Sequence, residues 1–467
     1  MSFTPEFLER MNKALEDRVL QAALNKALTT VRRKSAASLM ELTEPQDVRD
    51  VAAEVKRIAV NSLHRNLQEL ESRLEHAGTE VLWARNAEEA TQHVTDIARE
   101  HNIQRAIFSK SMVAEEIELE HALQHAGVRV IQTDLGERVV QLAGQKPSHI
   151  TAPCLHMSAK EIGKLLKVKT GMEYTDDPER ISRYLAEQMR PTFLAAQMGI
   201  SGVNMAVSRT GTLVMVENEG NVRLGYTLPE VHVAVLGIEK VVETMRDADF
   251  VLSLLARKAT GQRSTSYLSL LGPGPLPGQK RYVVFVDNGR SFVFSKGPYR
   301  ELLSCIRCGS CMNVCPVYEK VGGHAYGWTY PGPIGIALMH LMGPPEMASQ
   351  ANYLCSLCGA CTEACPVEIP LDKLIVMGRA RTNRLKPGKE YRRERRAFRL
   401  VTQSMLKGGR YRFTHWGHKV GRAVAPGVVR GVERKLGWHD QRTAPVPAKV
   451  LFRTRFKRRK KEPGGSS

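Results

Sequence analysis

Eight of the nine cysteines fall into two copies of one spacing: Cys305, Cys308, Cys311 and Cys315 followed by Pro316, then Cys355, Cys358, Cys361 and Cys365 followed by Pro366. Each copy reads C-x2-C-x2-C-x3-C-P, a run whose thiolates hold cubane iron–sulfur clusters and whose fourth cysteine reaches to the neighbouring cube. The spacing therefore predicts two 4Fe-4S clusters. One is held by Cys305, Cys308, Cys311 and Cys365, the other by Cys355, Cys358, Cys361 and Cys315. Gly309 and Gly359 follow the second cysteine of each copy, where the backbone must bend tightly around inorganic sulfide. Zinc uses four cysteines as two CxxC knuckles and has no need of a third cysteine two residues on. Disulfides belong to oxidising compartments, and the opening MSFTPEFLERMNKALEDRV lacks the apolar core of a signal peptide. Cys154, in APCLHM, stands apart and reads as a small buried side chain. With a cysteine for every iron, the pair makes a one-electron relay, not a substrate-activating site. Arg307, beside Cys308, is either a charge that tunes the cluster or a solvated side chain.

The elements that must position these cysteines come in a recognisable order. Residues 1–75 read as helical, with apolar positions at helical spacing in VRDVAAEVKRIAVNSLHRNLQELESRL. From residue 76 to 297 short apolar strands alternate with amphipathic helices: EVLWA, RAIFS and VRVIQT, then, after a helical stretch at 158–198, VNMAVS, GTLVMVE, HVAVLGI, a segment ending LSLLG, and RYVVFVDN. Such alternation predicts a parallel or mostly parallel α/β sheet. Residues 298–388 form the small α-helical ferredoxin-like domain, with helices at IALMHLM and LDKLIVMGRAR. Residues 389–467 are a basic tail, with a helix over 390–408, loops at APGVVRG and TAPVPA, and a disordered KEPGGSS end.

The formal net charge of +20 belongs to that tail: residues 386–467 hold 24 Lys and Arg against 5 Asp and Glu, and the rest of the chain is nearly balanced at 44 against 43. No RNA-reading motif accompanies it, so contact with an acidic partner or an anionic membrane surface, or a merely solvated tail, is favoured over nucleic acid. No stretch of about twenty uncharged apolar residues is present, and the thiols place the chain in the cytoplasm, with peripheral membrane contact left to the tail.

Outside the cysteines the chemistry is sparser. Lys110 follows a predicted strand, and Glu115 and Glu116 open the next helix, where its dipole favours carboxylates. Thr210, Gly211 and Thr212 form a turn before a strand, and Asn218, Glu219, Gly220 and Asn221 another after it. Strand ends of α/β sheets bind ligands, so Lys110 and Glu219 are the catalytic candidates, Glu219 being either a base or a turn residue. His149, His156 and His232 lack paired-His spacing and read as core or surface residues. GPGPLPG at 272–278 is proline-broken and does not match a dinucleotide-binding fingerprint.

Several blocks resemble the lactate-utilisation iron–sulfur proteins: SKSMVAEEIELEHAL (109–123), TDLGERVVQLAGQKPSHITAP (133–153), SRTGTLVMVENEGN (208–221), LPEVHVAVLGIEKVV (228–242), ATGQ (259–262), VDNGRS (286–291) and IRCGSCMNVCPVYEKVGGHAYGWTYPGPIG (306–335). The resemblance implies an α/β LUD domain, related to the sugar-isomerase and CoA-transferase folds, joined to a two-cluster ferredoxin-type module. It also implies an electron-carrying subunit of a cytosolic complex that oxidises L-lactate to pyruvate. The implied partners are a cysteine-rich subunit of the heterodisulfide-reductase type and a small LUD protein. Asn204, Thr210 and Asn221 become substrate-binding candidates. Ser201 stands where the family often has Thr, and Val222 follows Asn221 where Gly is common, which narrows backbone freedom at that loop. Two other readings accompany this one: the LUD domain itself oxidises a hydroxy acid or acyl substrate with the clusters as electron outlet, or it is a docking scaffold.

Overall fold

The computed structural model describes residues 3–385 and 408–435, a few residues between 392 and 406, and residues 455 and 456. Residues 3–382 form one compact unit, and the described residues of the tail belong to another.

In the larger unit the central feature is a six-stranded sheet in the order β1-β10-β7-β4-β2-β3. Its strands are β1 (Glu80–Ala84), β2 (Arg105–Phe108), β3 (Arg129–Gln132), β4 (Met198–Gly202), β7 (Val231–Gly237) and β10 (Lys280–Val286), and every pairing is parallel. Period-two alternation shows in β7: Val231, Val233 and Val235 join the core under helix Ala87–Glu100, while Ala234 and Leu236 face the core under helix Leu63–His76. A second sheet, in the order β8-β5-β6-β9, holds β5 (Met205–Val207), β6 (Thr212–Glu217), β8 (Val241–Val242) and β9 (Tyr267–Leu271).

Sequence reasoning overlooks two strands: the two-residue Val241–Val242 and, in the middle of the main sheet, β4. Its segment MGISG carries two glycines, which weaken a strand pattern. Packing explains one of them: a Cβ at Gly199 would overlap the carbonyl oxygen of Gly225. The expected strand VNMAVS accordingly shrinks to β5.

The helical opening has a specific task. Helices Pro5–Glu16 and Arg18–Leu39 contribute Phe7, Met11, Leu24 and Leu28 to the same core as Met312, Tyr318 and Cys311. Arg32 pairs with Glu319 at 2.7 Å, and Arg49 of helix Pro45–Asn61 donates to the Cys365 carbonyl at 2.9 Å. The segment thus clasps the cysteine module. That module contains helix Gly332–Met339, buried along its length, and helix Leu371–Leu385, as the apolar spacing predicts.

In the tail, helices span Gly408–Val424 and Pro426–Lys435. APGVVRG is therefore largely helical, because Pro426 stands at the first helical position, where its missing N–H costs nothing. Most of the expected 390–408 helix, and all of TAPVPA and KEPGGSS, lie outside the described residues. Among the described residues no helix is long and apolar enough to cross a membrane.

Candidate iron–sulfur centres and an adjoining strand-end site

The two cysteine runs fold into the same local backbone. Arg307 and Leu357, the residues before the second cysteines, both sit at φ 59°, and Gly309 and Gly359 follow at 77° and 81°. Two left-handed residues bracketing a cysteine turn successive N–H groups toward one centre. Short helices Ser310–Asn313 and Ala360–Ala364 then carry the third cysteines.

Two cavities result. The inner one is lined by Cys305, Cys308, Cys311 and Cys365, with Ile150 and Ile334 among its walls, and the outer one by Cys315, Cys355, Cys358 and Cys361, with Asp372. Each encloses about 340 Å³ of empty space including its open mouth. Each takes three cysteines from one run and the fourth from the other, so the structure brings together the two sets expected from the spacing.

Several features of these walls fit an iron–sulfur cube. All nine cysteines are free thiols. Among the described residues no three His, Cys, Asp or Glu side chains converge to hold a single ion, whereas four thiolates on one zinc would meet at about 2.3 Å from it. Backbone N–H groups point at sulfur: Leu357 donates to Cys355 Sγ at 3.3 Å, Tyr318 to Cys315 Sγ at 3.5 Å and Ile369 to Cys365 Sγ at 3.4 Å. Such bonds favour the thiolate and tune a bound cluster. Burial pushes Cys308 and Cys361 up to about 12 and Cys365 up to about 11, so these thiols would ionise on metal binding, which displaces and releases their protons.

Around the inner set lies a buried charge network. Arg290 donates to Glu116 at 2.9 Å through both terminal nitrogens and to Glu239 at 2.5 Å. Arg307 is not solvated: it is 8% exposed, stacks over Tyr330 at 4.5 Å and lies 3.5 Å from Glu239. Burial pushes its pKa down, but the charges of Cys305, Tyr330 and Glu239 push it up and prevail. Its Nη1 is buried with no hydrogen-bond partner. Lys56 reaches the Glu239 carbonyl at 2.9 Å, and burial lowers both Lys56 and Lys240 to about 8. Burial alone would raise Glu239, yet Arg290 and Arg307 hold it at about 2. Glu116 is thus an ion-pair partner more than a complement to its helix dipole.

A second cluster of ionisable groups stands at the carboxyl ends of β2, β3 and β6. The chain steps outward from β2 to β3 and then returns to place β4 on the other side of β2, so the gap between β2 and β4 is a topological switch point where α/β sheets bind ligands. Lys110, just beyond β2, bonds Glu115 at 3.2 Å and touches Glu137. Burial opposes its charge, but Glu115, Glu137 and Asp134 more than compensate and raise its pKa. Burial and the neighbouring carboxylates raise Glu137 in turn. Glu219, more than a third exposed, accepts from the Leu135 N–H at 3.0 Å; desolvation and Asp134 push it up to about 7. Asn221 donates to Thr133 Oγ1 at 3.2 Å in the same region.

The other candidates are engaged elsewhere. Asn204 accepts from the Val216 N–H at 3.0 Å, holding the second sheet together. Thr210 bonds Thr212 at 2.8 Å in an exposed turn at the start of β6; β6 has six residues, about 20 Å at strand rise, between that turn and Glu219. Val222 does not disturb its loop: it packs into the core while its N–H and that of Arg223 bind the buried Glu217 carboxylate. Ser201 bonds His232 at 2.8 Å. His156 bonds Ser148 at 2.8 Å and Gln145 at 2.7 Å, and Cys154 packs half-buried.

One segment joins the two regions. Ser148 accepts from Tyr318 Oη at 2.7 Å, His149 meets Asn313 Oδ1 at 3.2 Å, and Ile150 lines the inner cavity. Burial first, then the nearby Lys110 charge, depresses His149 to about 4, so it is neutral between the strand ends and the inner loop. Sequence reasoning missed Glu137, Asp134, Glu239, Lys240, Arg290, Lys56 and Tyr330. A signal existed for the third and fourth: charges inside the apolar run VLGIEKVV.

Fold and site together define an LUD-domain iron–sulfur protein. Residues 67–282 match the LUD domain family and residues 301–369 the 4Fe-4S dicluster domain family. Proteins called lactate utilization protein B from Bacillus cytotoxicus and from Bacillus thuringiensis strain Al Hakam are each 36% identical over 473 aligned positions, covering 98% of this chain and 98% of theirs. The chain belongs to the lactate utilization protein B family. A crystal structure of a DUF162-family protein from Deinococcus radiodurans, at 16% identity, covers 48% of this chain and 98% of its own, with a TM-score of 0.27.

Proposed function

We propose that this chain serves lactate utilisation as an iron–sulfur electron-transfer subunit, with two 4Fe-4S clusters that pass on the electrons released when L-lactate becomes pyruvate. The observation that carries this reading is the pair of cavities, each walled by three cysteines of one run and the fourth of the other. When bound there, a cluster supplies one-electron exchange without bond making. The residues of the chain supply four thiolates per site and backbone donors to sulfur, and Cys358 of the outer set is exposed at the surface. The cysteine-rich subunit and the small LUD protein are its partners in this reading. The basic tail, with Phe413 and Trp416 exposed among arginines, is its contact with an acidic partner or membrane surface. Anaerobic reconstitution should give about eight irons per chain; four or fewer would overturn the reading.

A second reading has its own observation: the Lys110, Glu115, Glu137 and Glu219 groups stand at a switch point, and the Lys110 charge acts on His149, which bonds Asn313 beside the inner cysteine loop. In that reading the strand ends bind the hydroxy acid, and a carboxylate raised toward neutrality takes the hydroxyl proton. Lactate turnover by the purified chain with an artificial acceptor, lost in Glu137→Gln or Glu219→Gln, would support it. Full activity of the assembled complex with both substitutions would rule it out.

A further inference from the structure

We propose that Lys56, Lys240 and Arg307 are built-in counter-charges for the inner cysteine set, so that the cluster held there accepts an electron at higher potential than its outer neighbour. This rests on the two-cluster reading above and adds an order to it.

The inner side holds more fixed positive charge than its carboxylates balance. Lys56 is 2% exposed, Lys240 6% and Arg307 8%. Glu239, the carboxylate nearest them, is already bound by Arg290, which Glu116 also engages. Among the described residues neither lysine has a carboxylate oxygen in salt-bridge contact: Lys56 has only the Glu239 carbonyl at 2.9 Å. Uncompensated buried cations are costly, and persist where an anion answers them. Cys305 acts electrostatically on all three, and the unpartnered Nη1 of Arg307 is a free donor on the same loop. Lys258, 8% exposed, and Arg49 add positive charge near Cys365.

Among the described residues the outer set has no such excess. Arg379 binds the Cys355 carbonyl at 2.6 Å, but Asp372 lines the same cavity, and the position equivalent to Arg307 is the exposed Leu357.

A thiolate-bound cluster becomes more negative by one charge on reduction, with no bond made or broken. Cations fixed in a low-dielectric wall stabilise that form more than the oxidised one, while solvent screens charges at the outer rim. Electrons supplied by a donor therefore settle first on the inner side, away from water.

The test is a redox titration of the anaerobically reconstituted full chain with dithionite as electron donor, followed by electron paramagnetic resonance, the outer signal being assigned by its change in Cys358→Ser. Two midpoints are expected, the higher belonging to the inner set. In Lys56→Met/Lys240→Met the higher one should fall by at least tenfold in equilibrium constant, about 59 mV for a one-electron couple, with the lower unmoved. Lys240→Met alone should show part of that fall and Lys240→Arg should not, which keeps the test open if the double variant assembles poorly. Full iron content with both midpoints unchanged, or a fall confined to the outer signal, would overturn the proposal. Iron of four or fewer per wild-type chain would instead overturn the two-cluster reading itself.

Discussion

The two cysteine loops share a backbone but differ in what surrounds it. At the position before the second cysteine one has Arg307, buried over Tyr330, and the other Leu357, 42% exposed. After that cysteine one has Gly309, where an added Cβ would meet His149, the other Gly359, where among the described residues it would meet nothing within 4 Å. The inner loop is wrapped by the LUD domain and the N-terminal helices; the outer loop opens to solvent through Cys358. A repeated motif thus specifies ligand geometry, while the domain around it decides burial and charge. Both sets touch the main core, the inner through Cys308, Cys311 and Cys365 and the outer through Cys315 and Cys361, so the contrast lies in the charge and packing around each loop.

The largest expected break in this comparison is Arg290→Met, which leaves Glu116 and Glu239 buried without their partner. Removing one member of a buried ion pair costs about 3–5 kcal/mol, so urea unfolding should show a loss of that size; Asp372→Asn at the outer cavity should cost under about 1 kcal/mol. Equal losses would erase the distinction. Next come the matched glycines. Alanine at either must adopt a left-handed backbone, at about 1–2 kcal/mol, but at Gly309 its Cβ would also lie 3.0 Å from the His149 ring. Gly309→Ala should therefore melt below Gly359→Ala. Smaller again is Leu357→Arg, which copies the inner charge onto the exposed outer loop. Stability should change by under about 0.5 kcal/mol, and solvent should hold the outer midpoint shift below that of Lys240→Met.

The smallest effect concerns pH. The Glu219 pKa is raised from 4.5 to about 7, so the fold binds that proton more tightly than the unfolded chain does. Its contribution is present below pH 4.5 and is lost as pH rises toward 7. The residue is more than a third exposed, and solvent damps the effect. Melting temperature should fall slightly less between pH 5 and pH 7 in Glu219→Gln than in the wild type.

How much of this was legible in the sequence follows from which interactions are local. Cysteine spacing is a local code, and the structure assembles the two sets that it implies. Strands such as HVAVLGI announce themselves because both faces are buried. MGISG does not, since its glycine answers to Gly225, remote in sequence and unreadable from propensity. Arg307 shows the limit most clearly: its position was visible, but whether it met water or Tyr330 depended on residues far along the chain. Lys110 and Glu219 were found as strand-end residues, whereas Glu137 looks like an ordinary first-turn glutamate behind the Asp134 cap. Thr210, inside a family block, and Asn204, just ahead of it, serve the second sheet and its turn.

The central claim is that each site borrows its fourth thiolate from the other run. Its most direct test is Cys365→Ser beside Cys315→Ser, each reconstituted anaerobically and followed by electron paramagnetic resonance with iron content. Cys365→Ser is expected to alter the higher-potential inner signal and spare the outer one, and Cys315→Ser the reverse. If Cys365→Ser altered the outer signal and left the inner one intact, each run would hold its own cluster and the account would be wrong.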